Sequence, residues 1–287
     1  MIYLSSFSFP SWDREYSFRL DEVKRTCYNT MYPFFVLSRR ALSQLCFDDV
    51  TILYGGNGSG KTTALNVMAE KLNLSRGTLY NRSSFFGDYL KMCSCVNERD
   101  IPAHSAVITS DDVFSYMLDV RAVNDGVDLR REELFEEYNR SKRELSNVRS
   151  LEDYERLRNI VDSRRLTQSK YVKSRLGENI KEQSNGESAY FYFTQKLKDG
   201  GLYLLDEPEN SMAPDLQLKL RDYLCDCVRF FGCQLIIATH SPFILSMRGA
   251  RIYDLDDEPV SVKKWTELKN VREYYEFFKT HGKEFEK

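Results

Sequence analysis

Four short runs of the chain are apolar at every position or nearly so, and each ends abruptly in polar residues. VTILY at 50–54 stops at GGNGSG, AVIT at 106–109 at SDD, LYLL at 202–205 at DEPEN, and LIIA at 235–238 at THSP. Runs this continuous have no wet face, which suits central strands of a parallel sheet covered on both sides. After the first run, KTTALNVMAEKLNL carries apolar residues at helical intervals until Arg76-Gly77 closes it, predicting strand, glycine loop and helix in succession. The opening IYLSSFSF and the following YSFRL alternate like strands, predicting an antiparallel hairpin turned at Pro10 and SWDRE. From about 130 to 182 the chain is charged, poor in glycine and proline, and apolar at helical spacing, as a helical insertion would be. IYDL and VSVKKW predict two late strands, and NVREYYEFFKTHGKEF a charged final helix. The pattern is that of an α/β fold with a mostly parallel central sheet, an N-terminal antiparallel β portion and a helical insertion.

In open α/β sheets ligands gather beyond the carboxyl ends of the strands, so the polar endings of these runs are where chemistry is expected. Composition narrows the setting. With 287 residues, 42% apolar and 13% aromatic, the chain can fill a substantial core. It has no membrane-length apolar run, and MIYLSSFSFPSWDRE lacks the basic start and apolar centre of a signal peptide, so a cytoplasmic location is expected. Lysine plus arginine (41) and aspartate plus glutamate (43) nearly cancel, so total charge gives no support to nucleic-acid binding and leaves only a local basic face open. Of the seven cysteines, Cys93/Cys95 and Cys225/Cys227 are separated by one residue, whereas zinc pairs use two to four; reduced thiols fit better than a metal site.

Gly55, Gly56, Asn57, Gly58, Ser59, Gly60, Lys61 and Thr62 satisfy G-x-x-x-x-G-K-[ST], after an apolar strand and before a helix, where that motif has meaning. Side chains at the glycines would keep backbone N–H groups from closing round phosphate oxygens. Lys61 supplies a cation for the β and γ phosphates, Thr62 a hydroxyl for Mg²⁺, and the helix start, with Thr63, its free N–H groups. ATP or GTP is therefore the expected ligand. At the end of LYLL, Asp206 is placed to hold Mg²⁺ and Glu207 to polarise a water. His240, at the next strand end, can reach the γ-phosphate or that water.

Ser184-x-x-Glu187 within QSNGESAYFYF is a capping box and predicts a helix start. It leaves unexplained why Gly186 sits in the first turn, where it costs about 1 kcal/mol relative to alanine. A glycine there would let phosphate approach the free N–H groups closely. The serine precedes Asp206 by 22 residues (206 − 184), room for one helix and the strand that carries the carboxylates.

The order GGNGSGKT, helical insertion, SNGES, LYLLDE, ATHSP resembles the ABC-type ATPase superfamily, in which a signature helix opening L-S-G-G-Q/E stands shortly before the Walker B strand. The resemblance covers nearly the whole chain. It implies a P-loop NTPase of ABC-ATPase type in three parts: 1–115 with Walker A, a signature subdomain at 116–183, and 184–287 with signature helix, Walker B and switch histidine. It further implies two chains facing head to tail, with Ser184 and Gly186 of one completing the ATP site on the phosphate loop of the other. Preference for ATP rests on this resemblance and on the absence of an N-K-x-D stretch. Asn185 replaces the first signature glycine, and Ala213 falls where many members carry the D-loop aspartate. No glutamine follows AVIT at the Q-loop, leaving Ser110, Asp111 or Asp112 for its metal-side role.

These features predict a stand-alone, Mg-ATP-hydrolysing ATPase in the style of RecF, SMC and other AAA-family repair or phage-defence enzymes, dimerising around ATP and meeting a protein partner through the insertion. Arg158, Arg164, Arg165, Lys170, Lys173 and Arg175 could touch DNA there, but the interspersed acids favour a solvated helix face. An ABC-transporter subunit is the alternative, weakened by the missing Q-loop glutamine. A binding-only regulator is disfavoured by Glu207. Tyr28 and Tyr32 are candidates to stack on a base, with ordinary core packing the simpler reading.

Overall fold

The computed structural model describes residues 1–22, 30–144, 154–176 and 184–286. They form two compact units, one of residues 1–114 with 184–286, the other of the described residues within 115–183.

In the first unit, β3 (Val50–Tyr54), β6 (Leu202–Asp206) and β7 (Gln234–Ala238) are buried along their whole length, as apolar runs without a wet face require. With β5 (Ala106–Thr109), β8 (Arg251–Asp254) and β9 (Ser261–Lys263) they make a six-stranded sheet in the order β5-β6-β7-β3-β8-β9. The first five strands are parallel and β9 is antiparallel to β8. Because β3 lies between β7 and β8, with β6 next to β7, the carboxyl ends of β3, β6, β7 and β8 share one edge.

A separate antiparallel sheet, order β2-β1-β4, joins β1 (Leu4–Ser8), β2 (Gln44–Cys46) and β4 (Ser94–Asn97). Gln234, fully buried, ties the sheets: its Oε1 accepts from Tyr3 N and Leu4 N, and its Nε2 donates to Leu4 O and Asp48 O. Leu4, Phe7, Leu45, Leu53, Leu65 and Met68 fill one continuous core beneath both.

The N-terminal hairpin is not formed. YSFRL belongs to α1 (Trp12–Glu22), and β1 pairs with the distant β2 and β4. A strand would have put Tyr16, Phe18 and Leu20 on one face. In the helix Phe18 stacks on Phe34 at 4.9 Å while Tyr16 and Leu20 stay exposed, and the buried residue one turn earlier is Glu15. Its carboxylate accepts from Phe35 N and Ser38 Oγ, and burial raises its pKa.

Two other boundaries differ from the expectation. Helix α2 (Lys61–Lys71) ends before Arg76-Gly77, because Leu74 N turns back to Ala69 O and Ser75 bridges to Ala106 beside the sheet. The long helix α4 (Ser110–Arg143) starts at once after β5, well before residue 130, since Asp112 accepts from Thr109 N and Thr109 Oγ1 and closes the junction. The remaining helices of this unit are α3 (Phe86–Met92), α7 (Asn185–Lys196), α8 (Pro214–Phe231), α9 (Pro242–Leu245), α10 (Lys269–Thr280) and α11 (Gly282–Phe285).

The second unit contains most of α4 with α5 (Tyr154–Arg165) and α6 (Gln168–Lys173), around a small core of Leu134, Tyr138, Tyr171 and Val172. Arg175 caps this core, 3.8 Å over the Tyr171 ring and 2.6 Å from Asp162. Among the described residues no helix is long and apolar enough to cross a membrane. The described cysteines carry free thiols, with Cys93, Cys227 and Cys233 buried and Cys46 exposed; Cys27 lies outside the described residues.

Candidate functional site

The phosphate loop follows β3 directly and turns into α2 at Gly60. Here φ is +98° and a Cβ would come within 2.9 Å of Leu37 Cδ2, so both backbone and space exclude a larger residue. Asn57 and Gly58 are exposed at the tip, Gly55 and Ser59 are buried, and Ser59 Oγ has no partner. Thr63, one residue past the motif threonine, receives a hydrogen bond from Tyr32 OH at 3.2 Å. Tyr32, whose ring also lies 6.1 Å from that of Phe86, thereby braces α2. Tyr28 lies outside the described residues.

Lys61 is 5% exposed. Its Nζ donates to Gly55 O at 2.7 Å and Gly56 O at 3.2 Å, and lies 2.8 Å from His240 Nε2. Burial lowers its pKa, opposed by Glu207, Asp206, Asp256 and Glu209 around it. These four carboxylates outnumber the single ammonium, an imbalance that favours a bound cation.

Asp206, at the end of β6, is buried with Oδ1 unpartnered, and burial pushes its pKa up to about 6 despite a hydrogen bond from the Thr62 side chain. A buried carboxylate with a free oxygen beside an exposed hydroxyl is a partial set of hard oxygen donors. Mg²⁺ is held in this way, by one or two protein oxygens with substrate phosphates and water completing its shell. The residues present therefore fit the ion.

Glu207 takes a left-handed backbone, φ +47°, with its N–H on Ala238 O at 2.8 Å. Such a conformation in a non-glycine residue is held only by its surroundings. Its carboxylate accepts from Asn210 Nδ2 at 3.1 Å and lies 3.2 Å from His240 Nε2. One imidazole nitrogen thus stands between Lys61 and Glu207. It can accept from the ammonium or donate to the carboxylate, but not both at once.

Two acids that sequence reasoning missed complete the site. Glu209, 9% exposed, gathers Thr239 Oγ1, His240 N and Ser241 N onto its Oε1, fixing the segment that carries the histidine. Asp256, beyond β8, accepts from Gly56 N at 2.7 Å and holds the phosphate loop from the side. The third acidic residue of DEPEN hinted at the first. Nothing in the sequence pattern separated Asp256 from its acidic neighbours.

Ser184 caps α7 as a full capping box: Glu187 N donates to Ser184 Oγ at 3.3 Å and Ser184 N donates to Glu187 Oε2 at 3.0 Å. Gly186 is buried, and a Cβ there would meet Leu216 Cδ1 at 2.9 Å and Ser211 O at 3.0 Å. Close packing against the start of α8 within the same chain is thus a reason for this glycine that needs no phosphate. Ala213 is the residue before α8 and offers it no side-chain cap. Of the Q-loop candidates, Asp112 is committed to Thr109, Asp111 is exposed and Ser110 half-buried.

The family model described as "AAA domain, putative AbiEii toxin, Type IV TA system" matches residues 129–246, a stretch that includes the capped helix, both strand-end carboxylates and His240. No curated protein matches the chain. Among solved structures, similarity extends to a nucleotide-free ATP-binding cassette from an ABC transporter, with 17% identity, 81% of this chain and 90% of that one covered, and a TM-score of 0.41. An Smc head domain from Pyrococcus furiosus, bound to the C-terminal domain of ScpA, gives 12% identity, 81% and 95% coverage and a TM-score of 0.40. The ATP-binding cassette MJ0796, a dimer in a post-hydrolysis state with ADP and phosphate, gives 15%, 77%, 88% and 0.38. Scores of this size carry no functional weight. The parallel strand order, the phosphate loop and the capped helix before the carboxylate strand give the chain the fold and motif order of a P-loop protein, and over residues 129–246 it is similar to the AAA-domain family.

Proposed function

We propose that the protein binds Mg-ATP at the carboxyl edge of its parallel sheet, hydrolyses it, and pairs head to tail around it. The observation that carries this reading is the meeting of Lys61, His240 and Glu207 within 3.2 Å contacts beside the Thr62–Asp206 pair, at the mouth of the phosphate loop. Lys61, held here by the loop's own carbonyls, exchanges these for phosphate oxygens. Thr62 and Asp206 hold Mg²⁺, which when bound offsets phosphate charge. Glu207 takes a proton from the water that attacks the γ-phosphorus as the bond to the β–γ bridging oxygen breaks. His240 senses the γ-phosphate and fixes the carboxylate.

Ser184 and the first N–H groups of α7 are proposed to complete the site of a second copy. Closure and reopening would then be read by a protein partner on the helical unit, in DNA repair or phage defence. Arg158, Arg164, Arg165, Lys170 and Lys173 are exposed on that unit, whereas Arg175 is engaged with Tyr171 and Asp162.

Lys61→Ala is expected to reduce ATP turnover by at least about 100-fold, the scale seen when one preorganised charge-stabilising donor is lost. Glu207→Gln is expected to retain ATP and accumulate as an ATP-dependent pair in light scattering. Undiminished turnover in the first variant, or no ATP-dependent pair in the second, would count against the scheme.

A further inference from the structure

Asn270, in the first turn of α10, reaches two parts of the catalytic edge at once. Its backbone N–H, one of the free donors of a helix start, goes to the hydroxyl of Tyr54 at 3.2 Å. Tyr54 is buried and is the last residue of β3 before the phosphate loop. The side-chain Nδ2 of Asn270 donates to His240 O at 2.8 Å. A carbonyl oxygen only accepts, so the amide nitrogen is the atom that must face it. Leu268 and Val271, both buried, root this turn in the core, and the amide is thereby carried on a fixed element.

The bond matters because of where it falls on the histidine. The peptide between His240 and Ser241 is trans, so its C=O and N–H point opposite ways. Ser241 N donates to Glu209 Oε1 at 3.0 Å and to Thr239 Oγ1 at 3.0 Å, and His240 N donates to Glu209 Oε1 at 2.9 Å. Glu209 therefore grips this peptide from the side of β6, and Asn270 grips it from the other. With both in place the peptide turns only by breaking a bond at each end, and the imidazole it carries is aimed. Nε2 then lies 2.8 Å from Lys61 Nζ and 3.2 Å from Glu207, distances with little room for error. Asn270 Oδ1 is buried and accepts from no described residue, so the amide serves this edge through its donor alone.

We propose that Asn270 is a positioning residue for ATP hydrolysis: it touches no reacting group and acts by holding His240 between Lys61 and Glu207, which makes the C-terminal helix part of the catalytic edge. The proposal rests on the ATPase reading above. A group that acts only on placement changes the rate of the bound complex and not the binding of substrate.

Asn270→Ala removes the donor. Asn270→Asp replaces it, at constant shape, with an oxygen that repels the carbonyl, while an acid in the first turn suits the helix. Both variants are expected to lower kcat by about 10- to 100-fold, with KM within about twofold and circular dichroism unchanged. In a His240→Ala background, where no imidazole remains to be placed, Asn270→Ala is expected to change kcat by less than about twofold. The carbon-bound ring protons of the three histidines give a nuclear magnetic resonance readout that needs no nucleotide. The His240 signal is expected to move in Asn270→Ala, and those of His104 and His281 to stay. If the wild-type protein turns over no ATP, the ATPase reading fails, and this signal alone decides whether Asn270 places His240. An unmoved His240 signal, an unchanged kcat, a loss confined to KM, or an equal loss in the His240→Ala background overturns the proposal.

Discussion

Glu209 shows how much of the site depends on one residue that touches no reacting group. Three donors from consecutive residues converge on its Oε1. Glu209→Ala takes this acceptor from the fully buried Thr239 hydroxyl and from His240 N, while Ser241 N keeps Thr239 Oγ1, at about 1–3 kcal/mol for a buried group left unanswered. The larger consequence is that His240 loses its position between Lys61 and Glu207. Misplacement on the ångström scale costs about 100-fold in rate, so kcat should fall by that order while ATP affinity changes little. A matching loss in affinity, measured by nucleotide titration, would mean that Glu209 supports binding and not the histidine.

Asp206 makes a second prediction at this scale, in the absence of nucleotide and divalent cations. Its folded pKa, about 6, lies above the ordinary 3.8 because the carboxylate is buried. Between those values the folded state binds more protons than the unfolded one, so stability falls as pH rises through this window, by about 3 kcal/mol in all. Asp206→Asn should therefore be the more stable protein above about pH 6 in denaturant unfolding, and the advantage should vanish near pH 4. Parallel curves for the two proteins would show that the burial cost is absent. The motif residues of this site were legible because phosphate binding demands particular types at fixed spacing. Asp256 was not, since a carboxylate that braces a loop carries no spacing rule.

Among the elements, the central strands were readable because burial on both faces leaves no polar position to confuse the pattern. α1 was not: five alternating residues fit a strand as well as one turn and a half of helix, and the decision fell to Glu15 and Phe18, whose partners Phe34, Phe35 and Ser38 are 16 to 23 residues away. Helix α7 combines both cases. Its capping box was plain in the sequence, whereas the packing of Gly186 on Ser211 and Leu216 depends on a distant turn. Alanine at 186 gains about 1 kcal/mol of helix propensity but must force apart a backbone oxygen and a methyl group, a cost of about 1–3 kcal/mol. Gly186→Ala is thus expected to lower the midpoint of thermal unfolding without nucleotide. A raised midpoint would show that the contact yields and that the glycine is kept for another reason.

For the whole molecule, the sequence placed the polar strand ends on one edge, yet the order β5-β6-β7-β3-β8-β9 that sets His240 beside the phosphate loop follows from long-range pairing. Completion of each ATP site by a second copy is a claim at the same scale, and complementation tests it. Lys61→Ala breaks the phosphate loop of its own chain, and Ser184→Thr or Ser184→Ala alters the helix mouth offered to the other. If the site is shared, a mixed pair holds one site with both defects and one with neither. Random pairing of equal amounts should then restore roughly a quarter of wild-type turnover, because half the pairs are mixed and each has one sound site of two. Threonine keeps the cap while alanine removes about 0.5–2 kcal/mol of helix stability, so comparing them separates a folding defect from a lost contact. If each chain works alone, mixing gives only the mean of the separate activities. That outcome would confine the catalytic edge to a single chain and leave the serine its capping role.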